Sequence, residues 1–118
     1  MNQSRITYDN RLFAPHTTTE NGEANISTVF HYHQHEQIVW ATYQGGAIKF
    51  GTLIAKINDD DSLDMRYSHV NINDEMMTGK CHSIPEILHD GRLRLHETWT
   101  WTSGDESSGT SIIEEIPS

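Results

Sequence analysis

Glu97 stands where a carboxylate is expensive. From Arg92 to Trp101 the chain alternates, with Leu93, Leu95, Glu97, Trp99 and Trp101 on one side and Arg92, Arg94, His96, Thr98 and Thr100 on the other. That period of two marks a strand with one face turned to the interior. A carboxylate on such a face must be paired, hydrogen-bonded or protonated. It can serve as a polar anchor in a ligand cavity, close an internal ion pair with a cation such as Arg66, or sit at a strand end that reaches solvent. Arg66 lies beside Tyr67 and near His69. Its planar fork suits a ligand carboxylate as well as it suits Glu97. The strand that carries it does not declare its inner face, because Met65, Tyr67, His69 and Arg66, Ser68, Val70 are both mixed sets.

Trp40, Tyr43, Trp99 and Trp101 combine apolar bodies with polar tips, which suits a pocket wall and equally suits ordinary core. Tyr43, Arg66, Tyr67, His69, Glu97 and Trp99 are therefore the candidate ligand-binding set. A filled interior would instead suit an interaction module or a homodimer, and an enzyme would use Glu97 or His69 as general base. No catalytic set is identified.

Other constellations point to less. His31, His33 and His35 share a strand face and could present imidazoles to a metal. The alternate positions hold Phe30 and Tyr32, better core candidates, so the histidines are expected on a solvated face and no metal is expected. Asn58-Asp59-Asp60-Asp61 lacks the glycine and closing glutamate of a calcium loop and reads as a solvated turn. Glu114 and Glu115 diverge, although Glu114 shares a side with Ile112 and Ile116 and could join Glu97 inside. Cys81 is the single cysteine, which excludes an intramolecular disulfide and a thiolate-rich metal site. Inert burial is its expected state. No nucleophile elbow, phosphate loop or zincin motif occurs, and no cofactor is expected.

The elements that must position these residues are strands. Val29–Tyr32, Ile38–Tyr43, Ile48–Ile57, Leu63–Ile72, Met76–Ile84, Arg92–Trp101 and Thr110–Ile116 are β-branched, aromatic or alternating, and Arg11–Ala14 brings the count to about eight. Gly45-Gly46 and Asp90-Gly91 are hairpin signals, and Pro85 is expected to stop the sixth strand. His16–Asn25 reads as a loop. No segment has a sustained helical period. Sequential hairpins favour an all-β, antiparallel up-and-down meander closed into a lipocalin-like (calycin) barrel. An eight-stranded barrel is wide enough to be filled by side chains or to hold one small ligand.

With 118 residues the chain is one domain, residues 1–118, in which residues 1–8 are expected to be loose. Eight Lys and Arg against seventeen Asp and Glu give a net charge of −9, which argues against nucleic acid and anionic membrane as partners. The N-terminal residues lack the apolar run of a signal peptide, and no stretch has the roughly 20 apolar residues of a membrane-spanning helix. A cytoplasmic protein with a small-molecule partner is the expectation, and homodimerisation is left open.

The runs Ala41-Thr42-Tyr43-Gln44-Gly45-Gly46, Leu63-Asp64-Met65-Arg66-Tyr67 and Arg94-Leu95-His96-Glu97-Thr98-Trp99-Thr100-Trp101-Thr102-Ser103-Gly104-Asp105 resemble a family of small bacterial proteins often labelled N-acetylglutamate synthase. The resemblance spans Phe30 to Ile116. It implies a lipocalin-like barrel and brings no catalytic residues. The chain itself has no Gly-rich turn leading into a helix on which a pyrophosphate could sit.

Overall fold

The computed structural model of the chain describes residues 6–117. Eight strands follow in chain order: β1 (Arg11–Thr18), β2 (Val29–His35), β3 (Ile38–Gly45), β4 (Ile48–Ile57), β5 (Leu63–Asn71), β6 (Met76–Ile87), β7 (Leu93–Trp101) and β8 (Ser108–Glu115). Each pairs antiparallel with its sequence neighbours, and β8 pairs with β1 to close the barrel. No sheet edge is left to template aggregation over the paired length.

Alternation decides which residues fill the barrel. Val39, Ala41 and Tyr43 from β3 are buried, as are Leu53, Ala55 and Ile57 from β4 and Leu93, Leu95, Trp99 and Trp101 from β7. On β5 the inward set is Leu63, Met65, Tyr67, His69 and Asn71, and Arg66 is exposed on the outer face. The expected outward face of β2 is found. Phe30 and Tyr32 are buried, and His31 and His33 lie outside with their rings 4.3 Å apart. Among the described residues no three His, Cys, Asp or Glu side chains converge as metal ligands.

One end of the barrel is filled. Phe13, Tyr32, Leu63 and Leu93 are fully buried there, and Tyr8 closes the base from below the strands. The Tyr8 hydroxyl donates to the Asp61 carbonyl at 2.5 Å, and its backbone N–H donates to Gln34 Oε1 at 2.7 Å. This corrects the expectation of a loose N-terminus for residues 6–8, since Ile6 and Tyr8 belong to the core. The rest of that expectation, residues 1–5, lies outside the described residues. The Asn58–Asp61 turn also differs from a solvated one: Asp61 and Ser62 are tucked under the same base.

Boundaries moved for identifiable reasons. β6 runs through Pro85 to Ile87 rather than stopping at Ile84. Beyond Ser83 this strand has β7 alone as partner, because pairing with β5 ends at Leu63↔Ser83, so a proline without an N–H is tolerated. β1 extends to Thr18 past a bulge between Pro15 and Thr17, so the loop proper spans residues 19–28. Gly45 and Gly46 both take positive φ, 120° and 63°, but Gly45 ends β3; the turn residues are Gly46 and Ala47, and Gly46 supplies the positive φ of the tight turn.

Candidate functional site

The other end of the barrel is hollow. A cavity of about 70 Å³ opens there, under the loop that joins β1 to β2. Its wall is aromatic, with Phe30, Tyr43, Tyr67, Trp99 and Trp101, and its ionisable groups are Glu23, Tyr43, Tyr67, His69, Cys81 and Glu97. Among the described residues no Lys or Arg lines it.

Local sequence explains how three of these rings leave space between them. Three inward positions are glycines, each opposite an aromatic residue on the next strand: Tyr43↔Gly51, Tyr67↔Gly79 and Trp99↔Gly109. Each ring lies across its glycine. A Cβ on Gly51 would sit 2.4 Å from the Tyr43 ring, one on Gly79 2.2 Å from Tyr67, and one on Gly109 2.5 Å from Trp99. The rings thus lean onto the wall instead of projecting to the barrel axis.

Gly51 also sits between Tyr43 and His69, which pair with it from opposite sides. Across that gap the Tyr43 hydroxyl meets His69 Nδ1 at 3.0 Å. The other ring nitrogen, Nε2, meets Glu23 Oε1 at 2.7 Å, and Glu23 Oε2 accepts from Asn71 Nδ2 at 3.1 Å. His69 is 3 % exposed. Glu23 comes from the β1–β2 loop, so this chain of hydrogen bonds pins the loop over the mouth. The Trp101 indole N–H adds a second pin by donating to the Asn21 carbonyl at 3.0 Å.

Glu97 is placed by register. It faces Ser83 on β6 and Ser111 on β8. The Ser83 hydroxyl donates to Glu97 Oε2 at 3.1 Å, while Ser111 accepts from the Trp99 indole at 2.8 Å. Among the described residues Oε1 has no hydrogen-bond partner, and no cation pairs with the carboxylate. Loss of water around the charged form raises its pKa from 4.5 to about 7, and the Ser83 hydrogen bond only partly offsets this. The accessible surface that Glu97 keeps faces the cavity it lines. Burial also pushes the Tyr43 and Tyr67 hydroxyls and the Cys81 thiol upward, with the Glu97 charge adding to each. Cys81 is therefore a thiol and a poor nucleophile.

Of the candidate set, Tyr43, Tyr67, His69, Glu97 and Trp99 converge on the cavity. Arg66 does not. It points outward from β5, opposite Ile54 and Lys80, and lines a groove on the outer surface. The internal Arg66–Glu97 pair is thereby overturned, because strand neighbours of Tyr67 must face the other way. Trp40 is likewise outside, stacked on His33 at 5.6 Å. Glu114 does not join Glu97. It is bound outside by Arg94 at 2.7 Å and by Arg92 at 3.3 Å, and Ile113 is the inward residue of that strand. Sequence reasoning missed Glu23, Ser83, Ser111 and Asn71. The signal that could have located the wall was the isolated glycine inside each strand pattern, which marks close approach.

A closed antiparallel barrel of eight strands, plugged at one end and hollow at the other around a half-buried carboxylate, is a calycin-type barrel. Residues 6–116 match the family model of avidin-like proteins, and the chain belongs to that family. The family found does not carry the N-acetylglutamate synthase label, which is left without support, while the barrel implied by that resemblance stands. No curated protein matches the chain.

Proposed function

We propose that the chain binds a small molecule in the hollow end of the barrel, with Glu97 accepting hydrogen bonds from a ligand donor and Tyr67, Trp99 and Trp101 holding its apolar flank. The observation that carries this reading is the carboxylate itself. A structural carboxylate inside a barrel would have a cation or a full set of donors; Glu97 has one hydroxyl and faces space. The cavity accommodates a head group of a few heavy atoms, so the rest of a ligand lies at the mouth, against the β1–β2 loop. A general-base role for His69 fits less well, since both ring nitrogens are already engaged.

Avidin-like barrels make biotin the first compound to test, followed by other small cyclic N–H donors. Titration followed by the indole N–H resonances of Trp99 and Trp101 should show a saturable shift for a true ligand. Trp40, on the outer wall, should stay still. Glu97→Gln, which replaces an acceptor oxygen by a donor, should weaken that ligand by about tenfold or more. A panel in which every compound leaves both cavity indoles unmoved would sink the reading.

Self-association is a second reading, favoured by one observation. Trp40 and Ile54 are cross-strand partners on the outer face, 41 % and 58 % exposed, with Ile38 next to them at 49 %. An apolar strip of that kind suits a second copy of the chain. Sedimentation velocity reads it directly, and a single monomer-sized species at high concentration would exclude it.

A further inference from the structure

We infer that the ligand head taken by this cavity is a small organic cation, an ammonium or a planar amidinium. The inference rests on the binding reading above and narrows it by charge. Of the cavity's acidic groups, Glu23 is already held by His69 and Asn71. Glu97 is not held by any cation among the described residues, and its Oε1 is open to the cavity. Among the described residues no Lys or Arg lines the space to receive an anion. Tyr43 and Trp101 both pack against His69, so the imidazole is committed to the wall.

Three ligand classes can be ranked on that geometry. An anion would meet the Glu97 charge with nothing to offset it. A neutral amide would satisfy the acceptor but leave the ionised carboxylate without a counter-charge. A cation makes a charge-assisted hydrogen bond to Glu97, and its remaining positive surface lies against the faces of Tyr67, Trp99 and Trp101. A planar amidinium has a further advantage, because its two N–H groups match the two carboxylate oxygens. Where Glu97 carries its proton before binding, the cation displaces it. The carboxyl O–H bond breaks, the proton passes to solvent, and the carboxylate–cation pair remains.

Benzamidinium, benzamide and benzoate are nearly isosteric and differ in charge at the head group. The full chain would be titrated with each, by calorimetry and by the Trp99 and Trp101 indole resonances. Benzamidinium should bind about tenfold or more tighter than benzamide, and benzoate should not bind measurably. Calorimetry in two buffers of different ionisation enthalpy at pH 6.5 should show net proton release for benzamidinium and none for benzamide. In Glu97→Gln the order of cation and amide should invert; in Ser83→Ala, which keeps the carboxylate, it should hold. The affinity order and the proton release are measured on the unaltered protein, so they decide the matter even if a variant does not fold. If benzamide binds the cavity as tightly as benzamidinium, or if the preference survives Glu97→Gln, the cation assignment is wrong and small-molecule binding stands. If none of the three shifts either cavity indole, the cation assignment fails, while the binding reading is decided separately by the biotin panel.

Discussion

Glu97 couples the site to stability through pH. Its carboxyl is raised from 4.5 to about 7 in the folded protein by the loss of water. The folded state therefore holds a proton that the unfolded chain gives up. Its contribution is complete below the unfolded value and is lost as pH rises through 7. The shift corresponds to roughly 3 kcal/mol of stability lost between about pH 4.5 and pH 8. Glu97→Gln removes the ionisation and keeps the shape. Urea denaturation should then show the variant more stable than the parent at pH 8, with the advantage shrinking toward pH 5 as the parent takes up its proton. The opposite result, a loss of about 3 kcal/mol at pH 8, would mean a buried cation is paired with Glu97 after all. The same residue scale explains why the carboxylate could be singled out in advance: its face was fixed by Leu95 and Trp99. It also explains why its partner could not, since Ser83 comes from a strand whose register is set fourteen residues away.

At the scale of the strand, three aromatic–glycine pairs shape the wall. Gly51 carries the most, because Tyr43 crosses it to reach His69 and His69 in turn holds Glu23. Gly51→Ala puts a Cβ 2.4 Å from the Tyr43 ring and 2.7 Å from His69 Cβ. The ring is tethered at its hydroxyl and cannot swing aside freely. The substitution should cost about 1–3 kcal/mol, the usual range for overpacking, and should loosen the β1–β2 loop as the Tyr43–His69 bond lengthens. Denaturation together with hydrogen exchange across residues 19–28 reads both effects. Unchanged stability with unchanged loop protection would show that the crossing has no structural weight. Pro85 makes a complementary point. Composition alone treats it as a stop, but a strand segment with one neighbour can carry it, and which segments have one neighbour is a property of the assembled sheet.

For the whole molecule, the barrel is asymmetric along its axis. Tyr8, Phe13, Tyr32, Leu63 and Leu93 fill one end, where the Tyr32 hydroxyl is buried with no hydrogen-bond partner among the described residues. The inward glycines Gly51, Gly79 and Gly109 make room at the other. The outer wall is not uniform either. Lys56, Arg66 and Lys80 stand beside the Trp40–Ile54 strip, without any ion pair among the described residues, whereas Arg11, Arg92 and Arg94 pair with carboxylates and Lys49 pairs with Asp74. If copies of the chain associate through this strip, Ile54→Glu should return them to monomers in sedimentation velocity. Its fold and its cavity titrations should be unchanged, because Ile54 points away from the interior. An assembly that persists in Ile54→Glu would place the contact elsewhere.

Fold class, strand count, the inward face of β7 and the outward histidines of β2 were legible along the chain. Each follows from local alternation and turn chemistry, which act over a few residues. Tertiary structure decided the rest. The face of β5 was ambiguous because both of its sides are mixed, and only pairing with β4 and β6 turned Tyr67 and His69 in and Arg66 out. The hollow end was also illegible in one dimension. It depends on rings leaning over glycines of neighbouring strands, and on a loop glutamate meeting a histidine 46 residues away. Alternation assigns a side chain to a side of the sheet; only closure of the barrel determines what else occupies that side.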